Sequence, residues 1–223
     1  MPLQINKKIF FYFFLLIVLT TLNNKTLNNL SVPKISEIKI LGLDEKNKIK
    51  LSEELKIFKI QNLFFLDKEQ LKKVINSNEL IEKYSIFKKY PSTLEIKIDK
   101  TKFLASTNQN GNSYFVGSNG KLIRSLRLDS DIPFIFGNFD IHNFLEFKRM
   151  IDDSNLNFKD IKKIFFFSSG RWDIEMKSGI LIKLPENNIQ QSLNFYLKIL
   201  KKEKFKNLKV VDLRQKNQII IYE

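Results

Sequence analysis

The sequence predicts an α+β protein: a single N-terminal transmembrane helix, a small unit ordered strand, helix, helix, strand, strand, and a larger mixed α/β domain with a mainly antiparallel sheet. Three observations carry this. The uncharged run IFFYFFLLIVLTTL from Ile9 to Leu22 stands directly behind Lys7 and Lys8, the pattern of a membrane-directed segment. Past a polar stretch, helical spacing of apolar residues occurs twice in succession, framed by segments that alternate with a period of two. Further along, paired alternating segments around Ser-Gly and Gly-containing turns read as hairpins, interrupted by amphipathic helices.

The apolar run is short for a span. Its 14 residues cover roughly 21 Å as a helix, against the roughly 30 Å hydrocarbon core of a bilayer. A helix beginning near Leu3 reaches a sufficient length if Lys7 and Lys8 extend their ammonium groups to the cytoplasmic headgroups. A cleaved signal peptide fits the length better, yet needs small residues in an A-x-A pattern after the run, and Thr20, Thr21, Leu22, Asn23 and Asn24 do not provide one. The expectation is an uncleaved anchor over residues 9–24, with residues 1–8 cytoplasmic and the bulk of the chain on the far side of the membrane.

Composition bounds the remainder. About 200 residues with 43% hydrophobic content suffice for one large or two small domains with real cores. The formal net charge of +14 would suit a nucleic-acid binder, but only five of the 38 basic residues are arginines (Arg124, Arg127, Arg149, Arg171 and Arg214), and the lysines are scattered through every element. Nucleic acid is therefore not an expected partner, whereas a mild attraction to anionic lipid remains. The absence of cysteine excludes disulfides and thiolate metal sites.

After a polar, Asn-rich tether over residues 25–33, Ile35 to Leu41 alternates as a strand and stops at Gly42. Asp44 is a cap for a helix with Leu51, Leu55 and Phe58 on one face. An extended NLFFL link, Asn62 to Leu66, leads to Asp67, which opens a second helix with Gln70 as capping-box partner and Leu71, Val74 and Ile75 inward. Strands at Leu80 to Tyr90 and Leu94 to Ile98 follow, turning at Pro91, Ser92 and Thr93. This order, closed by YPSTLEIKI, resembles a polypeptide-transport-associated (POTRA) domain over residues 34–100. Outside a single membrane anchor it looks like the FtsQ/DivIB family of bacterial cell-division proteins, whose aromatic-Pro-x-x-Leu-x-Ile strand is matched by Tyr90, Pro91, Leu94 and Ile96. The family's Glu and Pro just beyond that strand are replaced by Lys100 and Phe103.

The rest, residues 101–223, continues the likeness. Asn108 to Asn112 reads as a polar loop, and Tyr114 to Val116 with Lys121 to Ile123 as a hairpin. Ile132 to Gly137 resembles the family's Leu-Pro-x-x-x-Gly segment. A helix from Asp140 to Ile151 carries Ile141, Phe144, Leu145 and the stem of Lys148 along one side, and Ile161 to Phe167 is an apolar strand suited to burial on both faces. Trp172, Ile174 and Met176 alternate, turn at Ser178 and Gly179, and return through Ile180, Ile182 and Leu184, like the family's Trp-x-Leu-x-Leu-x-x-Gly hairpin. A helix from Glu186 to Lys202 sets Ile189, Leu193, Tyr196 and Leu200 inward, and VVDLRQ follows, close to the family's Val-Asp-Leu-Arg-Tyr with Gln215 for Tyr.

Gln218 to Glu223 reads as a terminal strand with Ile219 and Ile221 on one face and Ile220 and Tyr222 on the other. At a sheet edge it would offer unpaired backbone groups without charge or proline to blunt them; equally, it could be internal or covered by the chain's own loops. The resemblance implies the former. In FtsQ-like proteins this edge receives the FtsB part of an FtsB/FtsL coiled coil by strand addition, which makes Gln218, Ile219, Ile220, Ile221 and Tyr222 partner-binding residues, with Arg171 and Arg214 as rim charges. It further implies a non-enzymatic inner-membrane scaffold at the division septum, mainly periplasmic, working with FtsK-, FtsW- and FtsI-type proteins in septal peptidoglycan synthesis. A POTRA-type chaperone for envelope assembly is the alternative, though one unit without a repeat or barrel pattern disfavours it. An enzyme has little to stand on: His142, the single histidine, sits in a first helical turn, Asp152 and Asp153 end that helix as solvated charge, and no phosphate loop or metal-ligand spacing occurs, so no cofactor is expected.

Overall fold

The computed structural model describes residues 7–22, 32–125, 131–200, 208–215 and 218–222. Helix α1 (Lys7–Leu22) takes up the apolar run over 16 residues. Among the described residues no helix is long and apolar enough to cross a membrane. The flank from Leu3, tether residues 25–31, the helical turn expected up to Lys202, and Glu223 lie outside the described residues.

Strand β1 (Glu37–Leu41), helix α2 (Glu45–Leu55), helix α3 (Lys68–Ser77) and strands β2 (Ile81–Lys89) and β3 (Thr93–Lys100) build a three-stranded sheet in the order β1-β3-β2. β1 runs parallel to β3, a pairing that requires a long crossover, and the two helices provide it. Both expected caps form. Asp44 accepts from the Asn47 amide at 3.3 Å, and Asp67 Oδ1 accepts from the Glu69 and Gln70 amides at 3.0 Å. The reciprocal half of the capping box differs from expectation: the Asp67 amide donates to Gln61 Oε1 at 3.0 Å, so a side chain from the preceding link does what Gln70 was expected to do. Leu51, Leu55, Phe58, Leu71, Ile75, Leu94 and Ile96 close a fully buried core. Gly42 has φ +97°, and a Cβ there would lie 1.9 Å from the Ile98 carbonyl oxygen, so only glycine lets the chain leave β1 past β3. Lys100 has a local role: its ammonium donates to Asp44 Oδ1 at 2.9 Å. With the Asn47 side chain as the larger cause and Lys100 next, the Asp44 carboxyl is held well below the usual carboxylate range.

The larger unit contains strands β4 (Phe103–Gln109), β5 (Asn112–Gly117), β6 (Leu122–Ser125) and β7 (Phe134–Phe136), helix α4 (Ile141–Asp152), strands β8 (Ile161–Phe166), β9 (Trp172–Met176) and β10 (Leu181–Lys183), helix α5 (Ile189–Leu200), and strands β11 (Val210–Asp212) and β12 (Ile220–Tyr222). The nine strands form one sheet in the order β12-β11-β10-β9-β8-β7-β4-β5-β6. Five of its eight pairings are antiparallel. Two expectations are corrected here. The loop expected at Asn108 to Asn112 is a two-residue turn, Asn110 and Gly111 with φ of 51° and 76°, joining β4 to β5. Ile161 to Phe167 is buried on one face only: Ile161 and Ile164 are fully covered, while Lys162 and Phe167 are exposed. The covered face holds α4 through Phe144, Phe147 and Ile151, centred one turn further along than expected, and α5 through Ile189, Leu193 and Tyr196. Trp172 lies at the middle, stacked on Phe147 with ring centroids 4.7 Å apart.

The two units touch through the β5–β6 turn. Asn119 Nδ2 donates to the Glu79 and Ile81 carbonyls, both at 2.9 Å, and Lys121 Nζ donates to the Asn76 and Asn78 carbonyls at 2.6 and 3.2 Å, placing a cation at the C-terminal end of α3.

Candidate functional site: the terminal sheet edge

β12 forms from a run too short to be stable alone, so it exists because β11 presents a ready ladder. Val210, Val211 and Asp212 pair antiparallel with Tyr222, Ile221 and Ile220. β11 is in turn held parallel to β10, at the end of the crossover through α5. Strand registers set the two faces. Ile174, Ile182, Val211 and Ile221 form one cross-strand row that packs on the core, and Ile219 joins it. Asp173, Lys183, Asp212 and Ile220 form the row on the opposite face. Ile220 and Tyr222 are 41% and 55% exposed, as the alternation of the terminal strand anticipates. Among the described residues no strand lies along the other side of β12, which ends the sheet.

The two arginines are brought to this end of the sheet, and each meets a carboxylate of its own chain. Arg171 Nε donates to Asp173 Oδ1 at 3.2 Å, and its guanidinium lies 4.3 Å from the centroid of the Phe167 ring. Arg214 Nε donates to Asp212 Oδ1 at 2.8 Å, and the Arg214 amide reaches the same oxygen at 3.1 Å. Both aspartates are buried, and sequence reasoning passed over them because an Asp in an alternating strand looks like a solvent-facing position. Their surroundings push them in opposite directions. Burial raises the Asp173 carboxyl against the pull of Arg171, whereas hydrogen bonds from Arg214 hold Asp212 below the usual range. The Asp212 bonds in turn raise Arg214.

Near the entry to β12, a cavity of about 510 Å³ lies between the start of α5 and residues that follow β11, lined in part by Pro185, Gln191, Phe195, Arg214 and Gln218. Phe195 is 46% exposed there. The signal was present in the sequence: Phe195 interrupts the polar side of α5, between Gln191 and Lys198. Gln215, which replaces the family's Tyr, also lines this cavity. Elsewhere, His142 is exposed and faces Glu146 at 3.3 Å, Asp152 pairs with Lys148, and no group of acidic or histidine side chains suited to a metal ion occurs among the described residues.

The FtsQ-type POTRA domain model matches residues 34–100, and the model of the C-terminal region of cell division protein FtsQ/DivIB matches residues 105–214, ending before β12. Curated relatives named cell division protein FtsQ include those of Rickettsia bellii, 22% identical over 84% of this chain and 72% of its own length, and Agrobacterium fabrum, 21% identical over 87% and 63%. A third, of Rhizobium meliloti, is 22% identical over 72% of this chain, which spans about half (52%) of that relative. Among solved structures, the major extracytoplasmic domain of the cell division protein DivIB of Geobacillus stearothermophilus aligns with 48% of this chain and 97% of its own at 15% identity and a TM-score of 0.35, too little to argue the fold from. The two domain models, in order and covering most of the sequence, establish that the chain belongs to the FtsQ/DivIB family of cell-division proteins.

Proposed function

We propose that this protein is a non-enzymatic scaffold of the divisome, anchored in the inner membrane by α1 with its N-terminus cytoplasmic and domains 34–100 and 101–223 in the periplasm at the septum. It takes up an FtsB/FtsL-type partner by strand addition on β12 and thereby helps to recruit and regulate septal peptidoglycan synthesis alongside FtsK-, FtsW- and FtsI-type proteins. The observation that carries this reading is the charge-free edge strand Ile220–Tyr222, backed by β11 and open on its far side among the described residues. A strand laid there gains roughly 0.5–1.5 kcal/mol net per backbone hydrogen bond, and its alternate side chains fall in line with the two existing rows. The cavity beside Arg214 and Phe195 offers room for a side chain or helix end that precedes or follows such a strand.

The test is Ile220→Pro, which removes a backbone donor and distorts the edge. Pull-down of the FtsB homologue from envelope extract is expected to lose its signal while circular dichroism shows a folded protein; undiminished capture by the folded variant would overturn strand addition.

A further inference from the structure

The link between α2 and α3 is not the extended connector that its sequence suggests. Leu63 is fully buried and Leu66 nearly so, while Phe64 and Phe65 between them are 61% and 79% exposed. The two leucines act as anchors that hold a projecting aromatic tip. Its two exposed residues have their amides capped: Asn62 Oδ1 accepts from the Phe64 and Phe65 amides, both at 3.0 Å, and the Lys88 ammonium donates to the Leu63 carbonyl. With both tip amides satisfied by Asn62, moving the rings out of water strands neither of these donors. Around it stand Ile60, 74% exposed, and Tyr90, whose ring centroid is 4.8 Å from that of Phe64.

The point at which the chain from α1 enters the small unit bears on what this tip faces. Lys34 bridges to Asn62, and the Ile35 amide donates to the Gln61 carbonyl at 2.9 Å, so the segment arriving from α1 is fastened to the base of this loop. Only eleven residues separate Leu22 from Lys34, a reach of about 40 Å fully extended. Whatever surface holds α1 therefore lies within that reach of the side of the small unit from which Phe64 and Phe65 project. Exposed Lys34 and Lys59 add positive charge beside the aromatic tip, and aromatic rings with neighbouring lysines are the residue types that settle at the headgroup layer of an anionic bilayer.

We propose that the Asn62–Leu66 loop is a membrane-contact site which dips Phe64 and Phe65 into the headgroup region of the bilayer that holds α1, fixing the small unit against the membrane. This rests on the anchor reading above. The chain has no cysteine, so Phe65→Cys, Phe14→Cys and Ser178→Cys each create a unique site for the fluorophore NBD in the full-length protein. In nanodiscs of phosphatidylethanolamine and phosphatidylglycerol, the label at position 65 is expected to be quenched by nitroxide lipids. It is also expected to be shielded from iodide about tenfold relative to the label at 178 on the β9–β10 turn, as for a ring lodged among headgroups. The label at 14 reports α1 independently. A label at 65 as open to iodide as that at 178, with position 14 in lipid, overturns the contact site and leaves the anchor standing. Absence of lipid quenching at 14 overturns the anchor, and the contact site with it. Shielding at 65 that arises only when solubilised envelope proteins are added overturns the lipid contact in favour of a protein partner.

Discussion

The two sheets end differently. In the three-stranded sheet the edge strand β2 carries Glu82, Lys83, Lys88 and Lys89 among its nine residues, whereas β12, at the edge of the nine-stranded sheet, carries Ile220, Ile221 and Tyr222. Charge on an edge makes it costly for a second chain to pair there, because an ammonium or carboxylate must be desolvated or matched. Among the described residues the protein thus blunts one edge with charge and leaves the other without it. The cores differ as well. Among the described residues no buried side chain is shared between them, and the larger is built around aromatic stacking at Trp172, while the buried residues of the smaller are aliphatic apart from Phe58.

The largest effect should come from Trp172→Ala. Removing a buried indole stacked on Phe147 is expected to cost about 3–5 kcal/mol. If the two units are as separate energetically as their cores are, urea titration followed by amide NMR signals will show the nine-stranded unit unfolding at lower urea and the three-stranded unit unmoved. Simultaneous loss of both would mean that the Asn119 and Lys121 hydrogen bonds to residues 76–81 couple them into one cooperative unit.

A smaller effect of alkaline pH should again fall on the larger unit alone. Burial pushes the Tyr196 phenol up to about 12. A phenol whose folded value is raised contributes stability that is complete below its unfolded value near 10 and is lost as pH rises through the folded value, roughly 2–3 kcal/mol in all. Unfolding free energies of the larger unit measured from pH 9 to 12 should therefore fall less steeply in Tyr196→Phe than in the parent, with the smaller unit as internal reference. Equal slopes would show that the Tyr196 hydroxyl is not held in a dry site.

The smallest effect on stability is expected from Ile220→Lys, which gives β12 the charge that β2 already has. Because Ile220 is 41% exposed on the face away from the core, the change should stay within about 0.5 kcal/mol by thermal unfolding. It should nevertheless weaken capture of the FtsB homologue. A loss of stability well beyond that would show that this side of β12 is covered.

Much of the fold was legible because its determinants are local. Asp44, Asp67 and Asp140 each cap the helix that follows, and the residues from Trp172 to Leu184 form the hairpin that their alternation describes. What escaped was nonlocal. β4 contains Ser106 and Thr107, polar yet buried, because Thr107 Oγ1 donates to the Ile135 carbonyl at 3.0 Å across a parallel neighbour contributed by a segment nearly thirty residues later. Asp173 and Asp212 were missed for the same reason, since an arginine two residues away in each case makes a buried carboxylate tolerable only once the strand ends are packed. In sequence the Phe64–Phe65 tip is only a plain link, as nothing in a five-residue stretch tells which of its four apolar side chains will face inward.

The sequence by itself determined helix faces, caps, the alternation of the strands and the order of elements, because hydrogen-bond capping and apolar periodicity act within one or two turns of chain. Only the tertiary structure decided which strand would stand at the edge of the large sheet, that Gln61 rather than Gln70 would complete a cap, and that Arg171 and Arg214 would meet their own chain's carboxylates. Those outcomes depend on pairings between residues far apart in sequence. Their stability comes from burial shared by elements that no single stretch contains.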